Sequence, residues 1–302
     1  MDSIKVQASA KVNLSLDVTG KRNDGYHNIE SIFQSINIYD TITVSKISNP
    51  LIEISCNDPV IPCGKTNIVY KAAKLFFEKT GISHGISIYI EKKIPSQSGL
   101  GGGSSDGAAV LYALNILFGA ELDGRELTTL GGKISADTAF FTVGGTAFAS
   151  GIGDVIEPIR YIPNVDMVVS KGYSSISTPT AYQKIDMLTN PRHPKTDKLL
   201  KAIDKGKFMS NCGLCENIFE SVTDLDDVNE IKRKMIRYGA LTSLMSGSGS
   251  AVFGIFESSK EAIKCAELLN EDYPFCIHCK ATANSIVSVS YTHLRAHETD
   301  QY

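Results

Sequence analysis

A glycine-rich segment, Pro95–Gly107 with the sequence PSQSGLGGGSSDG, carries the strongest chemical signal in the chain. It follows a strand-like run and precedes an apolar helical pattern, so the backbone N–H groups of a helix N-terminus can bind phosphate there. Glycines let the backbone approach an anion closely, and serine hydroxyls can cap the helix, contact phosphate or help to hold a metal. The predicted phosphate-binding residues are Gly99, Gly101, Gly102, Gly103, Ser104 and Ser105. A flexible turn with a serine cap is the alternative.

Two other phosphate-binding motifs are excluded. A Walker A loop requires a glycine five residues before Gly64-Lys65-Thr66, and Pro59 occupies that position. The glycine-rich segment also lacks the second parallel βαβ unit with an acidic ribose ligand that a dinucleotide site needs. The evidence for phosphate binding is therefore the position of the glycines and serines between a strand and a helix, and neither of these two motifs.

Three further features are ambiguous when each is taken alone. In the segment Met245–Ser250 (MSGSGS), Gly247 and Gly249 would permit a tight turn with exposed amides near a ligand, but an ordinary serine–glycine hairpin is the better interpretation. Asp137 precedes an apolar run, where a carboxylate usually caps a helix or faces solvent. Lys11 lies in a strand-like run, where a lone cation usually faces solvent on an edge strand.

The elements that must position these residues form a mixed pattern. Period-two apolar runs predict strands in the first 56 residues, and a helix is predicted from Asn67 to Thr80, ended by Gly81. The run Phe140–Ser150 is predicted to be a strand, whereas Ser174–Pro194 is polar and contains prolines. Together the patterns predict an α+β chain of mainly antiparallel strands, with a boundary near residue 160.

Composition restricts the class of protein. The chain has 302 residues, 42% of them hydrophobic, and a net charge of -3, which argues against a nucleic-acid partner. No run approaches the roughly 20 apolar residues of a membrane span, and the N-terminus lacks an apolar signal core. We therefore expect no membrane partner and a cytoplasmic location.

Seven cysteines, an odd number, fit reduced and individually placed thiols. The pairs Cys212/Cys215 and Cys276/Cys279 could form a four-thiolate zinc site, but they lie much further apart than the usual roughly 15–20 residues. The second pair also lies in a strand-like run, where residues i and i+3 point to opposite faces. Small buried side chains are the preferred interpretation, and no structural metal site is predicted.

The last residues differ from the rest of the chain. Ser290–Tyr302 (SYTHLRAHETDQY) is polar, lacks periodicity and follows the final strand-like run. It resembles a translated adapter, so we treat it as a non-native tail and exclude it from the fold.

Taken together, the ambiguous segments resemble the motifs of the GHMP kinase family. The three family motifs match at Lys11–Leu16, Pro95–Gly107 and Met245–Ser250. The resemblance extends roughly over residues 3 to 288. It implies a two-domain fold, with an N-terminal half (1–160) like domain 2 of ribosomal protein S5 and a ferredoxin-like C-terminal half (161–289).

The stretch Ala10–Ile36, AKVNLSLDVTGKRNDGYHNIESIFQSI, resembles one branch of that family more specifically. This branch uses ATP and Mg²⁺ to phosphorylate the 2-hydroxyl of a methylerythritol linked to cytidine diphosphate, in the non-mevalonate isoprenoid pathway. The resemblance implies a monomer or homodimer with a small-molecule substrate. It assigns Asp137 as the catalytic base and Lys11 as its partner. The other implied contacts are Asn67 and Pro95 near the nucleotide, Asn13 at the acceptor, Gly247 and Ser248 at the substrate, and Tyr26, His27 and Tyr182 around the cytosine.

Two other classes of function stay open at this point. Other kinases of the family act on mevalonate, homoserine or sugars, but the Gly25-Tyr26-His27 segment has no use with a substrate that lacks a base. A nucleotide-binding regulator without catalysis would not need Asp137 and Lys11. RNA binding, suggested only by the S5-like half, is disfavoured by the acidic charge.

The chain departs from the family pattern around the aspartate and in the glycine loop. Ser135, Thr138 and Ala139 replace the usual glycine, valine and proline, and Ser98 and Gly107 each stand where alanine is common. None of these changes removes a reactive group.

Overall fold

The computed structural model describes residues 1–292. The strands are β1 (Ser3–Lys21), β2 (His27–Ile47), β3 (Ile52–Cys56), β4 (Gly85–Glu91), β5 (Thr146–Ser150), β6 (Val155–Pro158), β7 (Asp166–Lys171), β8 (Glu216–Asn217), β9 (Thr242–Met245), β10 (Val252–Phe256), β11 (Phe275–Lys280) and β12 (Ile286–Thr292). The helices are α1 (Ile68–Thr80), α2 (Gly102–Phe118), α3 (Gly124–Ile134), α4 (Ala136–Val143), α5 (Thr178–Asp186), α6 (Thr196–Asp204), α7 (Asp226–Arg237) and α8 (Ser259–Asn270). The mixed α+β class predicted from the sequence is confirmed.

A long antiparallel pair, β1 with β2, forms the centre of the first sheet, whose order is β12-β1-β2-β4-β3. Apolar side chains of this sheet and of α1, α2 and α3 form a helix-side core that includes Val6, Ile42, Phe76 and Leu111. The predicted helix from Asn67 is confirmed, because the Asn67 side chain accepts a hydrogen bond from the Val69 N–H and α1 ends at Gly81 in the left-handed conformation.

The second sheet has the order β11-β7-β10-β9 and packs against the first. Val12 and Leu14 of β1 share a core with Met167 of β7 and Phe253 of β10. The opposite face of the second sheet packs on α7 and α8. Strand β1 is therefore covered on both sides, which explains its nearly continuous burial.

The cysteines of β11 follow the predicted alternation. Cys276 belongs to the core on the α7/α8 side, and Cys279 belongs to the core between the sheets. Cys212 and Cys215 are buried in the latter core as well. Within residues 1–292, no three His, Cys, Asp or Glu side chains are grouped so that they could hold a metal.

One sequence-based assignment of an element was wrong, and one helix was not predicted. Phe140–Val143 belongs to α4 and not to a strand, because Ser135 caps that helix by accepting a hydrogen bond from the Thr138 N–H. The stretch Ser174–Pro194 contains α5, which begins at a Ser177 cap with Pro179 in its first turn, both favourable signals. The polarity of this stretch hid an amphipathic helix of only nine residues.

The predicted tail begins too early. The backbone of Ser290, Tyr291 and Thr292 pairs with Lys5, Ile4 and Ser3 of β1, so their exclusion from the fold was wrong. A strand on the edge of a sheet can use polar residues because its backbone provides the pairing. Residues 293–302 lie outside the described part. At the end of the predicted C-terminal half, β12 brings the chain back to the first sheet.

Within residues 1–292, no helix is both long enough and apolar enough to cross a membrane.

Candidate functional site

Three adjoining cavities lie around the glycine-rich segment and the N-terminus of α5. We name them the loop cavity (about 540 Å³, lined by Asn67, Pro95 and Gly101–Ser104), the central cavity (about 510 Å³, lined by Lys11, Asn13, Asp137 and Gly247–Gly249) and the outer cavity (about 440 Å³, lined by Tyr26, His27, Tyr182 and Asp186). Thr178 lines all three, and Gln97 joins the loop and central cavities. The three cavities therefore adjoin one another.

The loop cavity is built for an anion. Helix α2 begins at Gly102, six residues before the apolar run Ala108–Phe118, so the second half of the glycine-rich segment is its first turn. No side chain caps this helix at Gly101. The N–H groups of Gly102, Gly103 and Ser104 are thus available in the cavity, beside the positive end of the helix dipole.

The two glycine segments contact each other directly. Ser246 donates from its hydroxyl to the Gly99 carbonyl at 3.0 Å, and Ala251 donates from its N–H to the Ser98 carbonyl at 3.0 Å. A Cβ on Gly99 would lie 2.0 Å from the Ser246 carbonyl oxygen, and the residue has a φ of +75°. Glycine is therefore required at this contact. Met245–Ser250 packs against the glycine-rich segment and is not an isolated hairpin.

The central cavity holds an ammonium, an amide and a carboxylate. Lys11 Nζ donates to Asn13 Oδ1 at 2.6 Å and lies 3.8 Å from Asp137 Oδ2. Asn13 in turn donates to the Ser31 hydroxyl at 2.9 Å, which fixes the amide orientation. The Lys11 side chain is 4% exposed and that of Asp137 is 35% exposed. The carboxylate can therefore receive a proton from a ligand, while the ammonium stays in place behind it.

Burial lowers the pKa of Lys11, and the nearby Asp137 carboxylate opposes that effect. The ammonium also lies 5.0 Å from the centre of the Phe33 ring, a favourable cation–π distance. A positive charge held in a poorly solvated position interacts strongly with any negative charge that develops next to it.

Ser135 links the first turn of α4, which contains Asp137, to the glycine-rich segment. Its hydroxyl lies 3.0 Å from that of Ser104 and 2.7 Å from that of Thr138. Asp137 lies in the first turn of α4, between Ser135 and Thr138 in the chain. The departures at positions 135 and 138 therefore build a hydroxyl chain that positions Asp137 relative to α2.

The outer cavity contains an ordered imidazole. His27 stacks on Tyr182, with ring centres 4.6 Å apart and planes inclined by 21°, and its Nε2 lies 2.7 Å from Asp186 Oδ1. Tyr26 beside it is 62% exposed, so its ring is free to cover a planar ligand. Burial, together with the charge of Asp137, raises the pKa of Tyr182 to about 12, so its hydroxyl keeps its proton.

A buried charged cluster beneath the loop cavity was missed by the sequence analysis. Lys92 Nζ bonds both Asp40 and Asp106, and lies 2.7 Å from Asp106 Oδ2. Burial raises the pKa of Asp106 to about 8, although Lys92 opposes the effect. A protonated Asp106 leaves one positive and one negative charge in the cluster. It also avoids placing a second carboxylate beside an anionic ligand.

All but one of the predicted site residues line the cavities. Ser105 is fully buried, and its hydroxyl has no partner within the described residues, so the structure does not bring it to the loop cavity. Asn67 lines that cavity, but its side chain is already engaged, donating to the Pro62 carbonyl at 2.6 Å and capping α1. Sequence reasoning did not identify Thr178, Gln97 or Asp186 as site residues.

Two family models match the chain. The model for the GHMP kinases N terminal domain matches residues 67–145, and the model for the GHMP kinases C terminal region matches residues 198–274. The first match contains the glycine-rich segment and Asp137.

Among curated relatives, 4-diphosphocytidyl-2-C-methyl-D-erythritol kinase of Alkaliphilus metalliredigens is 41% identical, covering 89% of this chain and 94% of its own length. The enzyme of the same name from Clostridium acetobutylicum is 43% identical, covering 89% and 97%.

Solved structures of kinases are also similar to this chain. A crystal structure of 4-(cytidine 5'-diphospho)-2C-methyl-D-erythritol kinase matches with a TM-score of 0.76 at 32% identity, covering 92% of this chain and 98% of that one. Homoserine kinase from Cytophaga hutchinsonii matches with a TM-score of 0.77 at 19% identity, covering 96% and 98%. The second likeness shows the fold alone.

Proposed function

Because this chain belongs to the GHMP kinase family, we propose that it transfers the γ-phosphoryl group of ATP to the 2-hydroxyl of 4-diphosphocytidyl-2-C-methyl-D-erythritol. This reaction belongs to the non-mevalonate route to isoprenoid precursors. Enzymes named for this substrate are 41% and 43% identical to the chain over nearly their whole length.

The observation that carries the proposal is the continuity of the outer and central cavities. Ile152, Thr178, Pro179 and Tyr182 line both of them. A cytosine between the aromatic side chains of the outer cavity thus places its attached diphosphate and sugar alcohol toward Asp137. Substrates without a base, such as homoserine or mevalonate, would leave the outer cavity empty.

The nucleotide fits the loop cavity. The open N–H groups of the first turn of α2 hold triphosphate oxygens, and Pro95 and Asn67 lie on the adenosine side. The Ser104 hydroxyl, which faces this cavity, is the oxygen donor that would help to hold Mg²⁺ against the phosphates. Bound Mg²⁺ would neutralise part of the negative charge of the triphosphate.

The chemistry takes place in the central cavity. The substrate hydroxyl oxygen forms a bond to the γ-phosphorus while the bond from that phosphorus to the β,γ-bridging oxygen breaks, and ADP leaves. Asp137 accepts the hydroxyl proton. Lys11, held by Asn13, keeps the carboxylate oriented and stabilises negative charge that develops on the transferred group.

The experiment is a product assay. The protein is incubated with ATP, Mg²⁺ and the cytidine diphospho-substrate, and ³¹P NMR follows the appearance of a phosphomonoester with stoichiometric ADP. Homoserine, mevalonate and galactose serve as competitor acceptors. ADP formation with one of these but not with the cytidine substrate contradicts the proposal, and binding of ATP without turnover of any acceptor favours a regulator.

We also propose a cytoplasmic enzyme that is a monomer or homodimer. All seven cysteines are unbridged, five of them buried, as expected in a reducing compartment. Sedimentation equilibrium and cell fractionation test these two points.

A further inference from the structure

Helix α5 presents two side chains to the same imidazole. Tyr182 and Asp186 are four residues apart on this helix, so they lie on one face, one turn from each other. Tyr182 stacks on the face of the His27 ring, and Asp186 reaches its Nε2 atom. The position of the ring and its rotation are therefore both fixed.

The contact with Asp186 also fixes the tautomer of His27. An ionised carboxylate can only accept hydrogen bonds, so the 2.7 Å contact requires a proton on Nε2. Lys21 binds the other carboxylate oxygen at 2.6 Å, and the hydrogen bonds from Lys21 and His27 hold the pKa of Asp186 below its usual range. The carboxylate is thus ionised at neutral pH, and the Lys21 ammonium balances its charge.

The other ring nitrogen is left open. No donor or acceptor in residues 1–292 bonds Nδ1 of His27, and this atom is not among the buried polar atoms without a partner. Because His27 lines the outer cavity, Nδ1 is accessible from it. In the neutral ring with a proton on Nε2, Nδ1 carries a lone pair and acts only as an acceptor.

We propose that Asp186, charge-balanced by Lys21, is a positioning residue that makes the enzyme select cytosine over uracil by holding Nδ1 of His27 as a hydrogen-bond acceptor. Cytosine offers a donor in its exocyclic amine, whereas uracil has an acceptor oxygen at the same position. With uracil, two lone pairs would face each other in a partly desolvated site. This inference rests on the proposed function.

The test compares Asp186→Asn with a matched control. Asp224→Asn makes the same chemical change and also removes an ion pair to α5, through Lys184, but Asp224 lines none of the three cavities. The asparagine at position 186 can donate to Nε2 as well as accept from Nε2–H, so it no longer fixes the tautomer. The kcat/KM values for the cytidine substrate and for its uridine analogue are measured for wild type and both variants.

We expect the preference for cytidine over uridine to fall by about tenfold in Asp186→Asn, the value of one hydrogen bond, and to stay unchanged in Asp224→Asn. ¹⁵N NMR of histidine-labelled protein reads the tautomer directly and should show His27 protonated on Nε2 in wild type and as a mixture in Asp186→Asn.

An equal loss for both substrates, or an Nε2 proton that persists in Asp186→Asn together with an unchanged preference, would mean that Asp186 only holds α5 against β1, and the proposal would fail. If wild type does not phosphorylate the cytidine substrate, the proposed function itself fails. Turnover with an unaltered preference in Asp186→Asn overturns the inference alone.

Discussion

The Lys11 ammonium and the Asp137 carboxylate lie 3.8 Å apart, although one belongs to the middle of β1 and the other to the first turn of α4. Only the ammonium is buried, so the pair consists of a partly exposed carboxylate and an enclosed cation behind it. Because the two groups differ in burial, a substitution of Lys11 can show whether this residue contributes to the chemistry or to the stability of the fold.

Lys11→Met should therefore reduce kcat strongly while the protein stays folded. Removing a buried charge recovers its desolvation cost, and the Asp137 carboxylate that remains is partly exposed, so no charge is left buried. The main cost is the lost hydrogen bond to Asn13, so the free energy of unfolding should fall by no more than about 1–3 kcal/mol. Urea denaturation and steady-state kinetics measure the two effects. A large loss of stability with normal kcat in the folded fraction would assign Lys11 a structural role.

Tyr26→Ala should raise KM for the cytidine substrate and leave KM for ATP unchanged. The exposed ring is free to stack on the base, and one such contact is worth about 1–3 kcal/mol. Tyr173→Ala is the matched control, because Tyr173 is more exposed still and lines none of the three cavities. Equal increases in KM for both substrates would place Tyr26 away from the base.

Ser135→Ala should lower both stability and activity. It removes the cap of α4, at a cost of about 0.5–2 kcal/mol, and the hydroxyl contact with Ser104 in the loop cavity. Asp123→Ala is the matched control, because it removes the cap of α3 at a site distant from the Ser104–Ser135 contact. It should lower stability by a similar amount without affecting the kinetics. If KM for ATP and kcat are the same in the two variants at equal folded fraction, the hydroxyl chain has no functional role.

Asp106→Asn should change the pH dependence of stability. The pKa of Asp106 is raised to about 8, above its unfolded value of about 3.9, so the folded protein binds the extra proton and loses stability as pH rises between these values. Asparagine cannot ionise and still accepts from Lys92. The stability of the variant relative to wild type should rise by roughly 3–4 kcal/mol from pH 5 to pH 8.

The measurement is urea unfolding of both proteins at several pH values, and only the difference between the two curves matters because all other titrating groups are shared. A difference that does not vary with pH would show that Asp106 is already ionised at pH 5.

Helices and strands could be predicted from the sequence where the helix-capping residues and the apolar periodicity agree. Helix α1 has an asparagine cap and a terminal glycine, and its predicted limits match the structure within one residue. Helix α4 was predicted as a strand because Phe140 and Phe141 are apolar and adjacent, and the cap at Ser135 was read only as a departure from the family.

Long-range pairings could not be read from the sequence. Gly107 stands where alanine is common in the family, but a Cβ there would lie 2.6 Å from Ile68 Cγ2, so glycine allows α2 to approach α1. The contacts of Lys92 with Asp40 and of His27 with Asp186 likewise join residues distant in the chain, and no local pattern marks them. The resemblance to a known family indicates the polar residues Lys11, Asn13 and Asp137 of the central cavity, whereas periodicity alone predicts that Lys11 faces solvent.

The most direct test of the account is kcat of Asp137→Asn with the cytidine substrate, measured beside ATP binding and thermal stability. Asparagine has nearly the same size as aspartate, so fold and ATP affinity should be retained, but it cannot accept the hydroxyl proton. Loss of a general base should lower kcat by roughly 10²–10⁴-fold. Turnover within a few fold of wild type, in a variant that folds and binds ATP normally, would contradict the assignment of Asp137 as the base.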